Sequence, residues 1–213
     1  MMKDNNYNKY NRILNILIIV LLISIFAVLA YNVKNNYIEN FDNSFYDLIT
    51  KIASDKLTMF FKIVTHLGDA IFLIAITIIL VIFIKERNLK LYVALNLICS
   101  FLINASCKLI FARQRPVGIN LILEDGYSFP SGHAMVATAF YGYLIYLIFT
   151  KIKNRKVKYP LIILLALIIL TVAVSRVYLG VHFASDILAG MILASVYLCF
   201  FILITDKKRF KQD

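Results

Sequence analysis

Residues 159–175 read YPLIILLALIILTVAVS, an apolar run without a charged side chain that ends directly before Arg176. With a few flanking residues, such a run reaches the roughly 20 residues that a helix needs to cross the hydrocarbon core of a bilayer. Comparable runs recur along the chain, so the sequence predicts an all-α integral membrane protein, a bundle of six transmembrane helices. The expected spans are about 13–33, 63–84, 90–112, 133–150, 159–177 and 183–205.

The composition excludes an ordinary soluble domain. Hydrophobic residues make up 61% of the chain and charged residues 16%, with a mean hydropathy of +0.79, whereas soluble domains are nearer half and a quarter. The net charge of +11 could suggest nucleic acid, but 16 Phe, 13 Tyr and the repeated apolar runs favour the lipid bilayer as partner. The three cysteines lie inside apolar runs and predict neither disulfides nor a metal site.

The basic residues predict the orientation. Segments 1–12, 85–90, 151–159 and 206–213 hold 15 of the 23 Lys and Arg residues, and short loops rich in Lys and Arg stay in the cytoplasm. Both termini are therefore expected on the cytoplasmic side of the membrane. No linker or repeat divides the chain, so residues 1–213 are expected to form one membrane domain.

The longest polar segment, 31–62, is expected to contain an interfacial helix. Between about 38 and 60, aromatic and aliphatic residues recur at helical spacing among acidic and basic ones. Such a helix either caps the bundle or recruits a lipid, and the sequence leaves both roles open.

Ionisable residues gather at the ends of the predicted spans that face outward. Each alone has an ordinary explanation, such as a Lys or Arg side chain that reaches the membrane surface or a residue that caps a helix. Together they place cations, two histidines and a carboxylate at one surface, where isolated charges are costly unless they pair or face a polar cavity. The ionisable residues are Lys108, Arg113, Arg115, His133, Arg176, His182 and Asp186, and Ser175 directly precedes Arg176.

The spacing of these residues indicates a phosphate pocket. Lys108 and Arg115 are seven residues apart, so they share a helix face if the third span continues to Arg115. His182 and Asp186 are four apart, which lets the carboxylate orient the imidazole. The segment 130–133, Pro-Ser-Gly-His, lies where a helix begins and directs backbone N–H groups at an anion.

These groups suit phosphoryl transfer. Cations and a helix N-terminus stabilise the transferred group, one histidine can attack phosphorus and a second can protonate the leaving oxygen. No metal or other cofactor is expected, because the cations carry the charge and the carboxylates are few. Glu124 and Asp125 are expected to be solvated surface.

The three motifs resemble those of the type 2 phosphatidic acid phosphatase family, which shares its active-site architecture with vanadium haloperoxidases. They are Lys108-x6-Arg115-Pro116, Pro130-Ser131-Gly132-His133 and Ser175-Arg176-x5-His182-x3-Asp186. The resemblance implies that His182 forms a phosphohistidine, that Asp186 orients it and that His133 is the acid and then the base. It further implies a group of residues that hold the phosphoryl oxygens, namely Lys108, Arg115, Ser131, Gly132 and Arg176.

The resemblance also implies a membrane lipid as substrate, in the plasma membrane of a bacterium. The sequence gives no sign of an obligatory protein partner. Undecaprenyl diphosphate ranks first, because it must lose a phosphate on the outer face, where the pocket is expected. Phosphatidylglycerophosphate and phosphatidic acid are alternatives. A lipid or anion transporter, or a phosphotransferase in which another acceptor replaces water, remains open from the sequence.

Overall fold

The structure is a computed structural model that describes residues 2–118 and 120–205, with the backbone alone for residues 2–12. Every regular element in this part of the chain is helical, which confirms the predicted all-α class. A 3₁₀ turn, Thr65–Gly68, lies between the third and fourth of the α-helices. The helices are α1 (Met2–Lys34), α2 (Glu39–Lys51), α3 (Asp55–Val64), α4 (Ala70–Phe83), α5 (Arg87–Phe111), α6 (Gly132–Lys151), α7 (Arg155–Tyr178) and α8 (Ala184–Thr205).

The described residues hold five helices that are long and apolar enough to span a membrane, α1 and α5 to α8. The expected second span, 63–84, is instead a pair of helical segments, 55–68 and 70–83, bent by 51°. At 1.5 Å per residue, α4 is about 21 Å long, short of the roughly 30 Å core. The break lies at Asp69, whose backbone is extended (φ −69°, ψ 144°). Counting the bent pair as one span brings the number to six.

The polar segment predicted at about 38–60 contains α2 and the first half of α3. Residues 52–54 separate the two helices, because Ser54 is extended and its side chain accepts a hydrogen bond from the N–H of Leu57. In α2, Asp42 and Ile49 are buried, whereas Phe41, Phe45 and Leu48 are exposed. An apolar exposed side on a polar helix is typical of an interfacial position.

Helix α6 is at the centre of the bundle and contacts α5, α7 and α8. Of its apolar stretch, 50% is buried inside the bundle, against 11% for α1, which contacts α8. The buried side chains of α6 include Ala134, Ala137 and Ala139, and residues of this size let helices approach where lipid supplies no hydrophobic drive for association.

Two basic segments lie at the same end of the bundle. Lys151 Nζ is 2.8 Å from Glu86 Oε1, which brings segments 85–90 and 151–159 together. The N-terminal ends of α6 and α8 lie at the opposite end, since each span reverses direction. The other two basic clusters, in the terminal tails, have side chains outside the described residues.

The start of α6 is in close contact with α8 at Gly190. A Cβ added at Gly190 would lie 2.8 Å from the backbone oxygen of Ser131 and 3.2 Å from the backbone nitrogen of Met135. Backbone atoms cannot rotate away, so only glycine allows this approach. Gly142 differs, because a Cβ there would meet Leu198 Cδ1 at 2.7 Å, the end of a flexible side chain.

We therefore predict that Gly190→Ala lowers the free energy of unfolding by about 1–3 kcal/mol, the usual cost of overpacking. The matched variant Gly142→Ala should cost less, because Leu198 can change rotamer. Thermal unfolding in detergent micelles measures both. Equal melting temperatures for the two variants would contradict the tight backbone contact at Gly190.

Candidate active site

The helix ends that carry the predicted site residues meet at one cavity. Its volume is about 220 Å³, and both His133 and His182 line it. Lys108 reaches it from the last turn of α5, His133 from the first turn of α6, and His182 from the short connection between α7 and α8. The structure thus brings the two histidines to a common space, as the spacing predicts.

His182 is fully enclosed, with 2% of its surface exposed. Its Nδ1 lies 3.4 Å from Asp186 Oδ2, and its Nε2 lies 3.1 Å from Arg115 Nη1. A guanidinium can only donate hydrogen bonds, so Nε2 is the acceptor and carries the lone pair. The proton of the neutral ring is therefore on Nδ1, toward Asp186. This tautomer directs a nucleophilic nitrogen away from the carboxylate.

Asp186 accepts hydrogen bonds from other groups besides His182. Its Oδ2 accepts a hydrogen bond from the N–H of Phe183 at 2.9 Å, and its Oδ1 accepts one from Arg113 Nη1 at 2.6 Å. Arg113 Nη2 also donates to Asp42 Oδ2 at 2.8 Å, and Asp42 Oδ1 accepts from the N–H of Ser185 at 2.8 Å. Helix α2 is thereby connected to the start of α8.

Sequence reasoning missed the contribution of Asp42. It lies on a polar helix far from the motifs, and no spacing connects it to them. Arg113 belonged to the predicted cluster of cations, but only the folded chain reveals its contact with Asp186.

Arg115 reaches His182 from a loop rather than from a helix. The condition under which Lys108 and Arg115 would share a helix face is not met, because α5 ends at Phe111 and Ala112 adopts a left-handed conformation (φ 45°). Arg115 lies in the following loop, where its guanidinium donates to the backbone oxygens of Gly126 (3.0 Å), Asp125 (2.8 Å) and Val181 (2.8 Å). Backbone carbonyls, rather than a helical face, position this cation.

Glu124 is part of the site, contrary to the expectation of a solvated surface residue. Its Oε2 accepts a hydrogen bond from Arg176 Nη2, and its Oε1 lies 3.7 Å from Arg115 Nη2. Arg176 is 1% exposed and also donates to Thr65 Oγ1 at 2.8 Å. A buried guanidinium requires a counter-charge, and Glu124 supplies it. The neighbouring Asp125 is exposed, as expected.

The two arginines affect the ionisation of Glu124. Burial by itself raises the pKa of this carboxyl, but the charges of Arg176, His133 and Arg115 outweigh it and hold the pKa below its ordinary value. Glu124 is therefore an anion in the cavity at neutral pH.

The segment 130–133 lies where α6 begins, as predicted. Ser131 precedes the helix and Gly132 begins it. A Cβ added at Gly132 would lie 3.1 Å from Asn104 Oδ1, and Asn104 Nδ2 donates to the oxygen of Pro130 at 3.1 Å. Asn104 thus braces this turn from α5, a role that no sequence signal indicated.

Two buried donors at the site lack a partner in the described part of the chain, Ser131 Oγ and Arg176 Nε. An unpaired buried polar atom costs free energy, so its presence in a native fold calls for an explanation. Both belong to the residues expected to hold phosphoryl oxygens, and both can donate to an oxyanion. The first N–H groups of α6 add further donors, because no intrahelical carbonyl faces them.

His133 contacts a carboxylate that sequence reasoning missed. Its Nε2 lies 2.7 Å from Asp69 Oδ1, while Asp69 Oδ2 lies 2.6 Å from Nδ1 of His66. The available signal was that Asp69 interrupts the predicted second span near its outer end. Within the described residues, no group of three or more His, Cys, Asp or Glu side chains could hold a metal ion.

The chain is similar in sequence to known phosphatases. Residues 88–210 match the model of the PAP2 superfamily. Phosphatidylglycerophosphatase B of Bacillus subtilis (strain 168) is 31% identical over 194 residues, which cover 87% of this chain and 94% of that protein. Undecaprenyl-diphosphatase of Sulfolobus acidocaldarius is 30% identical over 155 residues, 66% of this chain and 71% of that protein.

Two solved structures share the fold. The crystal structure of the transmembrane PAP2-type phosphatidylglycerolphosphate phosphatase from Bacillus subtilis matches with a TM-score of 0.80 and 30% identity, over 91% of this chain and 97% of that one. Aquifex aeolicus LpxE matches with a TM-score of 0.59 and 24% identity, over 75% and 92%. The second likeness concerns the fold alone.

Burial controls the charge of His182. Removal from water lowers the pKa of the ring to about 4, although the hydrogen bond to Asp186 acts in the opposite direction. An ordinary histidine titrates near 6.5, so the ring of His182 is neutral at pH 5.5, where an ordinary one is mostly charged.

We predict that His182 stays neutral, with its proton on Nδ1, until the pH falls toward 4. Nitrogen NMR of protein labelled at histidine measures this, with His182→Gln to assign the signal. Between pH 6.5 and 4 the unfolded chain binds the proton and the folded one does not, so stability should fall as the pH is lowered through this range. A midpoint at or above pH 6.5 would contradict the enclosed, neutral ring.

Proposed function

Because the chain belongs to the PAP2 superfamily, we propose that it is a membrane lipid phosphatase that works through a phosphohistidine at His182. The observation that carries the proposal is the single cavity lined by His133 and His182, with the lone pair of His182 on Nε2. An imidazole with a free lone pair is a nucleophile, and a second imidazole in the same cavity can donate and accept the protons.

In the first step, Nε2 of His182 attacks phosphorus, and a P–N bond forms as the bond to the leaving oxygen breaks. The leaving oxygen takes the electron pair and a proton from His133. In the structure, Arg115 Nη1 donates a hydrogen bond to Nε2 of His182. This N–H must turn from Nε2 to a phosphoryl oxygen when the substrate binds. The other donors to those oxygens are Lys108, Arg176, Ser131 Oγ and the N–H of Gly132.

In the second step, water attacks the phosphohistidine. His133 takes a proton from the water, the P–N bond breaks, and its electron pair returns to Nε2. Inorganic phosphate leaves, and both rings regain their first protonation states. Asp186 keeps the proton of His182 on Nδ1 throughout and stabilises the charge that develops on the ring.

We propose undecaprenyl diphosphate as the first substrate to test. A pocket at the outer face supports this choice, and so does the Sulfolobus relative, which is named an undecaprenyl-diphosphatase. Phosphatidylglycerophosphate is the second candidate, because the Bacillus relative named for that reaction covers 87% of this chain. Phosphatidic acid, which is a phosphate monoester like phosphatidylglycerophosphate, is the third candidate.

The protein is a multi-pass membrane protein, and we propose that its termini are cytoplasmic with the active site outside. The contact between Lys151 and Glu86 supports this orientation, because it places two basic segments at the end of the bundle opposite the cavity. A transporter fits less well, since its site is expected near the middle of the membrane. A phosphotransferase would use the same first step, with another acceptor in place of water.

We predict that His182→Asn abolishes phosphate release, because a carboxamide has no nucleophilic nitrogen to form the P–N bond. Release by the wild type should persist in EDTA, because Arg and Lys side chains carry the charge that a metal would. Labelled substrate should leave an acid-labile phosphate on the wild type and none on the variant. Thermal unfolding of both proteins controls for folding, and full activity in a folded variant would contradict the mechanism.

A substrate panel tests the choice of lipid. Undecaprenyl diphosphate, phosphatidylglycerophosphate and phosphatidic acid are compared at equal surface density in micelles, with free phosphate as the readout. We expect the highest kcat/KM for undecaprenyl diphosphate. A higher value for either phospholipid would reassign the substrate without affecting the reaction class, and label on an added alcohol would indicate a phosphotransferase.

A further inference from the structure

We propose that Asp69 is a positioning residue for His133: it accepts the hydrogen bond from Nε2 and thereby leaves Nδ1 for both proton transfers. The inference rests on the proposed function, since it concerns the acid and base of that reaction. None of the three motifs contains Asp69.

The carboxylate of Asp69 is fixed by two histidines. Oδ1 lies 2.7 Å from His133 Nε2, and Oδ2 lies 2.6 Å from His66 Nδ1. The residue lies at the break between the 3₁₀ turn and α4, and its backbone oxygen accepts the hydrogen bond of Leu73 in the first turn of α4. The break in the second span therefore holds a carboxylate at the edge of the cavity, where a continuous helix would place it differently.

The ring of His133 is also confined by packing. A Cβ added at Gly68 would lie 3.0 Å from His133 Cδ2 and 2.6 Å from Val172 Cγ1. The glycine next to Asp69 is thus in close contact with the same imidazole. Within the described part of the chain, Nδ1 of His133 has no hydrogen-bond partner, and the residue lines the cavity with His182.

The contact determines the tautomer of His133. A carboxylate can only accept, so Nε2 carries a proton in both charge states of the ring. The charged ring then has its second proton on Nδ1, which it gives to the leaving oxygen. The neutral ring that remains has its lone pair on Nδ1, ready to take a proton from water. His182 has the opposite tautomer, with its proton on Nδ1 and its lone pair on Nε2.

The test uses two substrates that differ in their need for an acid. Octyl phosphate loses an alkoxide, which must be protonated as it leaves, whereas p-nitrophenyl phosphate loses a stable phenolate that needs no proton. The ratio kcat/KM covers only the steps up to departure of the leaving group. In Asp69→Asn, the side-chain amide can donate to Nε2 and move the ring proton to Nδ1.

We expect Asp69→Asn to lower kcat/KM for octyl phosphate about 100-fold, at the lower end of what acid–base catalysis contributes, and to change the value for p-nitrophenyl phosphate by less than about threefold. Asp47→Asn removes the same charge from the exposed side of α2 and should leave both values unchanged. If Asp69→Asn does not fold, Asp69→Ser keeps a residue suited to a helix N-terminus and is judged by the same ratio.

Equal falls for the two substrates, or no fall for either, in a folded variant would overturn the assignment of Asp69. A wild-type protein that releases phosphate from neither substrate nor any lipid in the panel, or full activity of folded His182→Asn, would overturn the proposed function itself. The two failures are therefore distinguishable.

Discussion

Charge compensation inside a lipid-facing bundle is the constraint on which the rest of this structure depends. Moving an ion out of water costs several kcal/mol even after relaxation. The site nevertheless encloses Arg176 at 1% exposure and Asp186 at 0%. Each has an oppositely charged partner, Glu124 for Arg176 and Arg113 for Asp186. Glu124 contacts both Arg115 and Arg176, so these two like charges can lie close together, as the proposed phosphoryl site requires.

The carboxylates and cations around the two histidines give the two rings different environments. His182 is enclosed and neutral, and Arg115 donates to its Nε2, so the lone pair that we propose as the nucleophile lies on this nitrogen. His133 contacts Asp69 through Nε2, which leaves Nδ1 for the proton transfers that we propose. The carboxylates lie on different ring nitrogens of the two imidazoles, and this difference is the basis of the two roles that we propose for them. Such preorganisation is what general acid–base and nucleophilic catalysis require.

The bundle supplies the rigidity that this geometry needs. Helix α6 is buried on most sides, and Gly190 of α8 lies against its first turn closely enough to exclude even a methyl group. Helix α2 adds a second support, since Asp42 contacts both Arg113 and Ser185 beside Asp186. The polar segment between the first two spans is therefore part of the scaffold of the site. Its exposed Phe41 and Phe45 remain available to the membrane surface.

The sequence by itself determined the helical class, the positions of five spans and the three motifs around His133 and His182. These features depend on local properties, because hydropathy over one segment sets a membrane helix and motif residues keep a fixed spacing along the chain. Only the tertiary structure decided the break at Asp69, the route of Arg115 through a loop, and the pairing of Glu124 and Asp42 with distant cations. Those contacts join residues that are far apart in the chain, and their partners are set by the need to neutralise buried charge after the helices have packed.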